Sequence, residues 1–170
     1  KSTFRNFKPF IDERSHNIWN ILEYRPNQIL IAAHGGGLIT MQLPKESSNN
    51  SDDQEWKPLF QQYQHDPNKP NTILHDDIKD LVIDEKNVLW IATGRGMNYI
   101  AVDHLFSSKT EEQHPIEFSK ITRETQNLNG LLTNTLSSLY QDDQGMLWIG
   151  STNGLSIFNP LINQFRQFDL

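Results

Sequence analysis

The chain of 170 residues contains no cysteine. Disulfides, thiolate metal sites and a cysteine nucleophile are therefore excluded. No apolar run approaches the roughly 18 residues that a membrane-spanning helix needs, and no secretory leader pattern is present. The chain begins at Lys1 rather than Met, as an excised piece would. Cations are in the minority: 15 Lys and Arg against 21 Asp and Glu leave a net charge of -6. A nucleic-acid partner is not expected, because that surface needs clustered Lys and Arg to displace counterions. Helical periodicity is missing as well. With 36% hydrophobic and 21% charged residues, the chain is globular, polar and long enough for a core.

What is present is a repeat. Thr135 to Phe158 reads TLSSLYQDDQGMLWIGSTNGLSIF, and Asp77 to Val102 reads DIKDLVIDEKNVLWIATGRGMNYIAV. Ile78 to Leu136 and Trp90 to Trp148 are both 58 residues apart, so the two copies agree in register. A weaker copy runs from Asn17 to Met41, with Leu30 in the tryptophan position. A period of this size marks an array, a solenoid or a propeller.

Each copy divides into short β-branched or aromatic segments separated by turn residues, the pattern of antiparallel strands. The first segments are Ile18 to Tyr24, Ile78 to Asp84 and Leu136 to Gln141; the second are Ile29 to Ala33, Val88 to Thr93 and Met146 to Ser151. The third are Leu38 to Leu43, Met97 to Val102 and Leu155 to Phe158. Turns such as Asp142-Asp143-Gln144-Gly145 join the first two, and turns ending at Gly37, Gly96 and Gly154 join the second and third. An aromatic or aliphatic pair closes each unit: Phe60 and Tyr63, Phe118 and Ile121, Phe165 and Phe168. A surplus pair, Phe4 and Phe7, stands in front. The expected architecture is all-β, a propeller fragment of three four-stranded antiparallel blades and one extra outer strand. Residues 1–14 would be that outer strand of a preceding blade, 15–66 blade 1, 74–123 blade 2 and 131–170 blade 3. Pro44 to Glu55 and Asp103 to Pro115 are read as solvated loops.

Asp143-x-Gly145-x-Leu147-Trp148-Ile149-Gly150-x-x-x-Gly154-Leu155 resembles the two-component regulator propeller repeat. Leu89-Trp90-Ile91-Ala92-Thr93-x-x-Gly96-Met97 is similar, and Ile31 to Leu38 matches a form with one more turn residue and no tryptophan. The resemblance implies a sensor propeller outside the inner membrane of a bacterium, hence periplasmic. In the family an immunoglobulin-like domain, a membrane span and a cytoplasmic output follow, commonly a histidine kinase and sometimes a diguanylate cyclase. Members that sense glycan breakdown products are well represented. This segment is therefore expected to recognise a carbohydrate or another small molecule and not to be an enzyme. The alternative is a non-catalytic scaffold for dimerisation or protein contact. Three blades do not close a ring, so self-association is also expected.

Trp90, Trp148 and Leu30 recur in register and are assigned to packing between blades, with each indole N–H tied to a neighbouring blade. Asp143-x-Gly145-x-x-Trp148 also resembles the Asp-box hairpin of sialidase-type propellers, a structural element. A glycosidase needs two carboxylates at a fixed separation, and the acids here scatter over turns. No two of the six histidines have ligand spacing on one strand face, so no metal and no cofactor are expected. In propellers the connections into each blade and the turns between its second and third strands share one rim. His16, His34, Asp77, Arg95, Thr152 and Asn153 would stand on it, with Trp56 as an exposed indole able to stack on a sugar. Arg95, between two glycines, is the strongest candidate, because a guanidinium can clamp a carboxylate or sulfate with two bonds.

Overall fold

The computed structural model describes residues 17–44, 57–107, 115–123 and 130–168. They form three four-stranded antiparallel sheets, each made of strands consecutive in the chain. Sheet 1 is β1 (Ile18–Arg25), β2 (Gln28–Ala33), β3 (Gly37–Gln42) and β4 (Leu59–Tyr63). Sheet 2 is β5 (Ile78–Ile83), β6 (Val88–Thr93), β7 (Gly96–Ala101) and β8 (Ser119–Ile121). Sheet 3 is β9 (Leu136–Gln141), β10 (Leu147–Ser151), β11 (Gly154–Asn159) and β12 (Gln164–Phe168). The first strands stand side by side, β1 against β5 and β5 against β9. That is the blade arrangement of a propeller. The surplus Phe4–Phe7 strand and most of the Pro44–Glu55 loop lie outside the described residues.

Strand alternation explains how the sheets stack. Successive side chains point to opposite faces, and β6 is buried on both. Leu89 and Ile91 share a core with Leu30, Ala32, Leu38 and Tyr63 of sheet 1. Trp90 and Ala92 face the other way and share a core with Leu147, Ile149 and Phe158 of sheet 3. Trp90 meets Phe158 edge-on at 5.7 Å between ring centres. Burying one such side chain is worth roughly 1.5–3 kcal/mol, so these two cores hold the stack together. The connections into β5 and β9 add to them: Ile73 lies in the first core and Leu131, 58 residues on, in the second.

The turns repeat at the level of φ. Asn27, Asn87 and Gly145 take positive φ at matching places in the turns between first and second strands. Asparagine tolerates that region because its short side chain bonds locally. Gly96 must stay glycine for two reasons. Its φ is +123°, and an added Cβ would lie 2.8 Å from the Ile121 carbonyl oxygen of the outer strand.

Two expectations are corrected. The indole N–H of each repeated tryptophan bonds within its own blade: Trp90 donates to Asp84 at 2.9 Å and Trp148 to Asp142 at 2.7 Å. The carboxylate that closes the third hairpin is accordingly Asp142, while Asp143 is exposed. The stretch after β7 does not begin as a loop, because Val102–Leu105 forms one helical turn, α1, with Val102 and Leu105 buried.

Asp80 ties all three sheets together near their inner edge. It accepts from the Asn20 side chain of β1 and, at 2.8 Å, from the Leu139 backbone N–H of β9. Asn20 and Asp80 each follow a register shift in the inner strand, at Trp19 and Lys79. Such a bulge re-aims the strand and its side chains.

Candidate functional site

The connections into blades 2 and 3 are held by one repeated set of bonds. Asp76 Oδ1 accepts from the His65 N–H at 2.6 Å, and Asn134 Oδ1 accepts from the Arg123 N–H at the same distance. His75 Nδ1 accepts from the Asp77 N–H at 3.0 Å, where Thr133 Oγ1 accepts from the Thr135 N–H. The backbone of each connection then meets the second turn: His34 N–H bonds Asn17 O, Gly94 N–H bonds Asp77 O, and Thr152 N–H bonds Thr135 O. These bonds place the turns and the connections on one rim.

On that rim sheets 1 and 2 bring several chemistry-bearing groups together. Asp77 is mostly buried, and its Oδ2 receives Lys79 Nζ at 2.8 Å. Its Oδ1 lies 2.8 Å from His34 Nδ1, out of line for a hydrogen bond. Lys79 Nζ also stands 5.0 Å from the centre of the Trp19 ring, within cation–π range. Trp19 and His34 are 6.3 Å apart and tilted. Gly94 borders the same spot, with an ideal Cβ 3.7 Å from His75 Nδ1 and 3.8 Å from Asp77 Oδ2. The next residue, Arg95, is exposed; its backbone N–H is held by Thr93 Oγ1. Burial pushes the His75 pKa down, and the charge of Arg95 pushes it further. His75 is therefore neutral near pH 7, as its acceptor role at Nδ1 requires.

His34 and Asp77 are thus brought together, and Arg95 is near enough to His75 for its charge to lower that pKa. Among the described residues no carboxylate pairs with Arg95 within ion-pair distance. Thr152 and Asn153 stay on the turn of sheet 3, exposed and bonded to each other. His16 and Trp56 lie outside the described residues. Leu30 and Trp90 are buried, whereas Trp148 is half-buried. Two clefts elsewhere flank the outer strands, one beside Tyr99, Glu117 and Lys120, the other beside Gln62, Asp66 and Lys69. None of the rim residues lines either cleft. No group of three potential metal ligands occurs among the described residues.

The rim residues expected from the sequence do not include Trp19 and Lys79. Both occupy the bulge position of an inner strand, and a bulge is not visible in a strand pattern. The available signal was that Trp19 breaks the repeat, since Lys79 and Ser137 stand at the matching places.

The stacked four-stranded sheets with adjoining inner strands define a β-propeller segment. Residues 130–153 match the family model described as two component regulator propeller. The extracellular domain of the hybrid two component system BT3049 from B. thetaiotaomicron is similar in structure, with a TM-score of 0.66 and 16% identity over 89% of this chain and 18% of that one. The extracellular domain of the one component system BT4673 from the same organism has a TM-score of 0.59 and 18% identity over 90% of this chain and 18% of that one. PorZ, a surface component of the type-IX secretion system of Porphyromonas gingivalis, has a TM-score of 0.59 and 19% identity over 89% and 21%. In each case this chain spans less than a quarter of the other protein's length. No curated protein matches the sequence.

Proposed function

We propose that this propeller segment belongs to the extracytoplasmic, ligand-sensing region of a bacterial two-component receptor of the hybrid histidine kinase type. The repeat at residues 130–153 is the observation that carries the reading. Extracellular domains with a similar fold support the periplasmic side as its place. The ligand is a small molecule, with carbohydrates first, taken on the rim where Arg95 has no partner carboxylate among the described residues. The segment itself is non-catalytic. Its best-placed carboxylates are engaged in architecture: Asp84 and Asp142 close hairpins, and Asp80 bridges sheets. A ligand signals by binding one arrangement of the receptor better than another.

The test is a reporter strain carrying the intact gene. Carbohydrate digests added outside the cell should switch the reporter on. Arg95→Ala should raise the half-maximal concentration about tenfold, the loss of about 1.4 kcal/mol that one charged contact supplies. A phosphatase fusion at this segment that is active only in the cytoplasm would sink the reading. A second reading, a scaffold that self-associates, is favoured by the open face of sheet 3. Tyr140, Leu161, Ile162 and Phe168 are exposed there. Sedimentation equilibrium giving a clean monomer mass at high concentration removes it.

A further inference from the structure

Trp19 is an indole that the fold does not use. It is 55% exposed, it stands at a bulge where the other blades carry lysine and serine, and it belongs to none of the three buried clusters. Water is an expensive neighbour for so much apolar area. A ring face of this kind is what flat-faced ligands stack on. Its surroundings are polar in a specific way. Lys79 is neutralised by Asp77, so its charge holds the carboxylate and the indole in place rather than facing outward. Arg95, one residue past the Gly94 that borders Asp77 and His75, has no carboxylate partner within ion-pair distance among the described residues. An aromatic platform and a guanidinium carried on the same rim suit a ring and an anion in one molecule.

Resting on the sensor reading above, we propose that the rim between sheets 1 and 2 binds a ring-bearing carboxylate. The ring stacks on Trp19 and the carboxylate is clamped by Arg95, with His34 donating or accepting a hydrogen bond at the ring edge. Asp77 and Lys79 are positioning residues that set the distance between platform and clamp. Two sources carry this chemistry, an acidic sugar and an aromatic acid, and both offer an apolar face and a carboxylate.

The experiment is calorimetric titration of the full-length gene product with four probes: D-glucuronate, D-glucose, 4-hydroxybenzoate and acetate. One of the two ring acids should bind saturably, glucuronate if the source is a sugar and hydroxybenzoate if it is an aromatic acid. Glucose, which lacks the charge, and acetate, which lacks the ring, should be at least about tenfold weaker. Trp19→Ala and Arg95→Ala should each weaken the ring acid about tenfold or more, and Trp19→Phe should keep most of the affinity because it keeps a ring face. Both side chains are exposed, so unchanged melting temperatures serve as the folding control. The proposal is overturned if neither ring acid binds, or if binding survives Trp19→Ala and Arg95→Ala. A receptor whose reporter answers a neutral sugar, with no heat from either acid, overturns this site while the sensor reading stands. A silent reporter with ring-acid heat that Trp19→Ala removes does the reverse.

Discussion

Blade 1 and blade 2 close the same hairpin by different means. In blade 2 the Asp84 carboxylate sits at the end of the first strand and serves three groups. Oδ1 accepts the backbone N–H groups of Lys86 and Val88, both at 2.9 Å, and Oδ2 accepts the Trp90 indole. Blade 3 repeats the device with Asp142, Gln144, Met146 and Trp148. In blade 1 both halves are gone together: Tyr24 stands for the aspartate and Leu30 for the tryptophan. A lone indole would bury an unsatisfied donor, and a lone aspartate an unsatisfied carboxylate, so neither half is useful without the other. Blade 1 turns outward instead. Tyr24 stacks on Phe106 at 6.2 Å and donates to Asp103 at 3.0 Å, and Arg25 pairs with the same carboxylate at 2.9 Å. The carboxylate that finishes blade 1 is thus lent by α1 of blade 2. A closed hairpin is locally self-sufficient; this one depends on its neighbour.

The comparison is broken most directly at the tryptophans. Trp90→Ala empties a buried site between sheets 2 and 3 and should cost about 4 kcal/mol, read from the urea midpoint at constant slope. Trp148→Ala should cost clearly less, because its ring is only half-buried. Equal losses would mean that the indole matters for the hairpin lock and not for packing. Next in size is Asp84→Ala, which strands the Trp90 N–H and two backbone donors in a buried site and should cost about 3 kcal/mol. A double-mutant cycle of Asp84→Ala with Trp90→Phe should show coupling of about 1–3 kcal/mol. No coupling would mean that the pair is coincidental. Smaller again is Leu30→Trp, which forces the repeat's residue into a slot filled by leucine. Leu30 is wholly buried, so overpacking should cost about 2 kcal/mol. Asp103→Ala should cost only about 0.5 kcal/mol, since the Arg25 pair it breaks is more than half exposed.

The sequence shows the repeat, its four-strand unit and the rim because these rest on local pattern: alternation, turn glycines and a constant spacing. It does not show what depends on contacts between copies. Asp80 looks like any polar residue of an amphipathic strand, and only stacking places it between Asn20 and the Leu139 N–H. The destination of the indole N–H was misjudged for a related reason. Register repetition identifies Trp90 as architecture, but the six-residue offset from Asp84 to Trp90 becomes a contact only once the hairpin pairs Val82 with Trp90. Trp19 escaped because a bulge shifts it without any residue that announces a bulge. Ile73 and Leu131 escaped because core residues on a connection carry no strand alternation.

The smallest effect probes the rim. His75 has its pKa lowered, first by burial and then by Arg95. A histidine that is harder to protonate folded than unfolded contributes stability that is complete above the unfolded value, about 6.5. That stability is lost as pH falls toward the lower folded value, because the unfolded chain then binds more protons. The melting temperature should therefore drop between about pH 6.5 and 5 in part through His75. Thr133 shows how to remove the proton and keep the bond, since its hydroxyl accepts the matching N–H in blade 3. His75→Thr should leave the melting temperature at pH 7.5 nearly unchanged and flatten its fall below 6.5. If the slope of the variant matches that of the parent, the acid sensitivity belongs to the carboxylates. Asp142 is not the source of a fall in that range: its pKa is lowered chiefly by the Trp148 indole, so its contribution fades only at still lower pH.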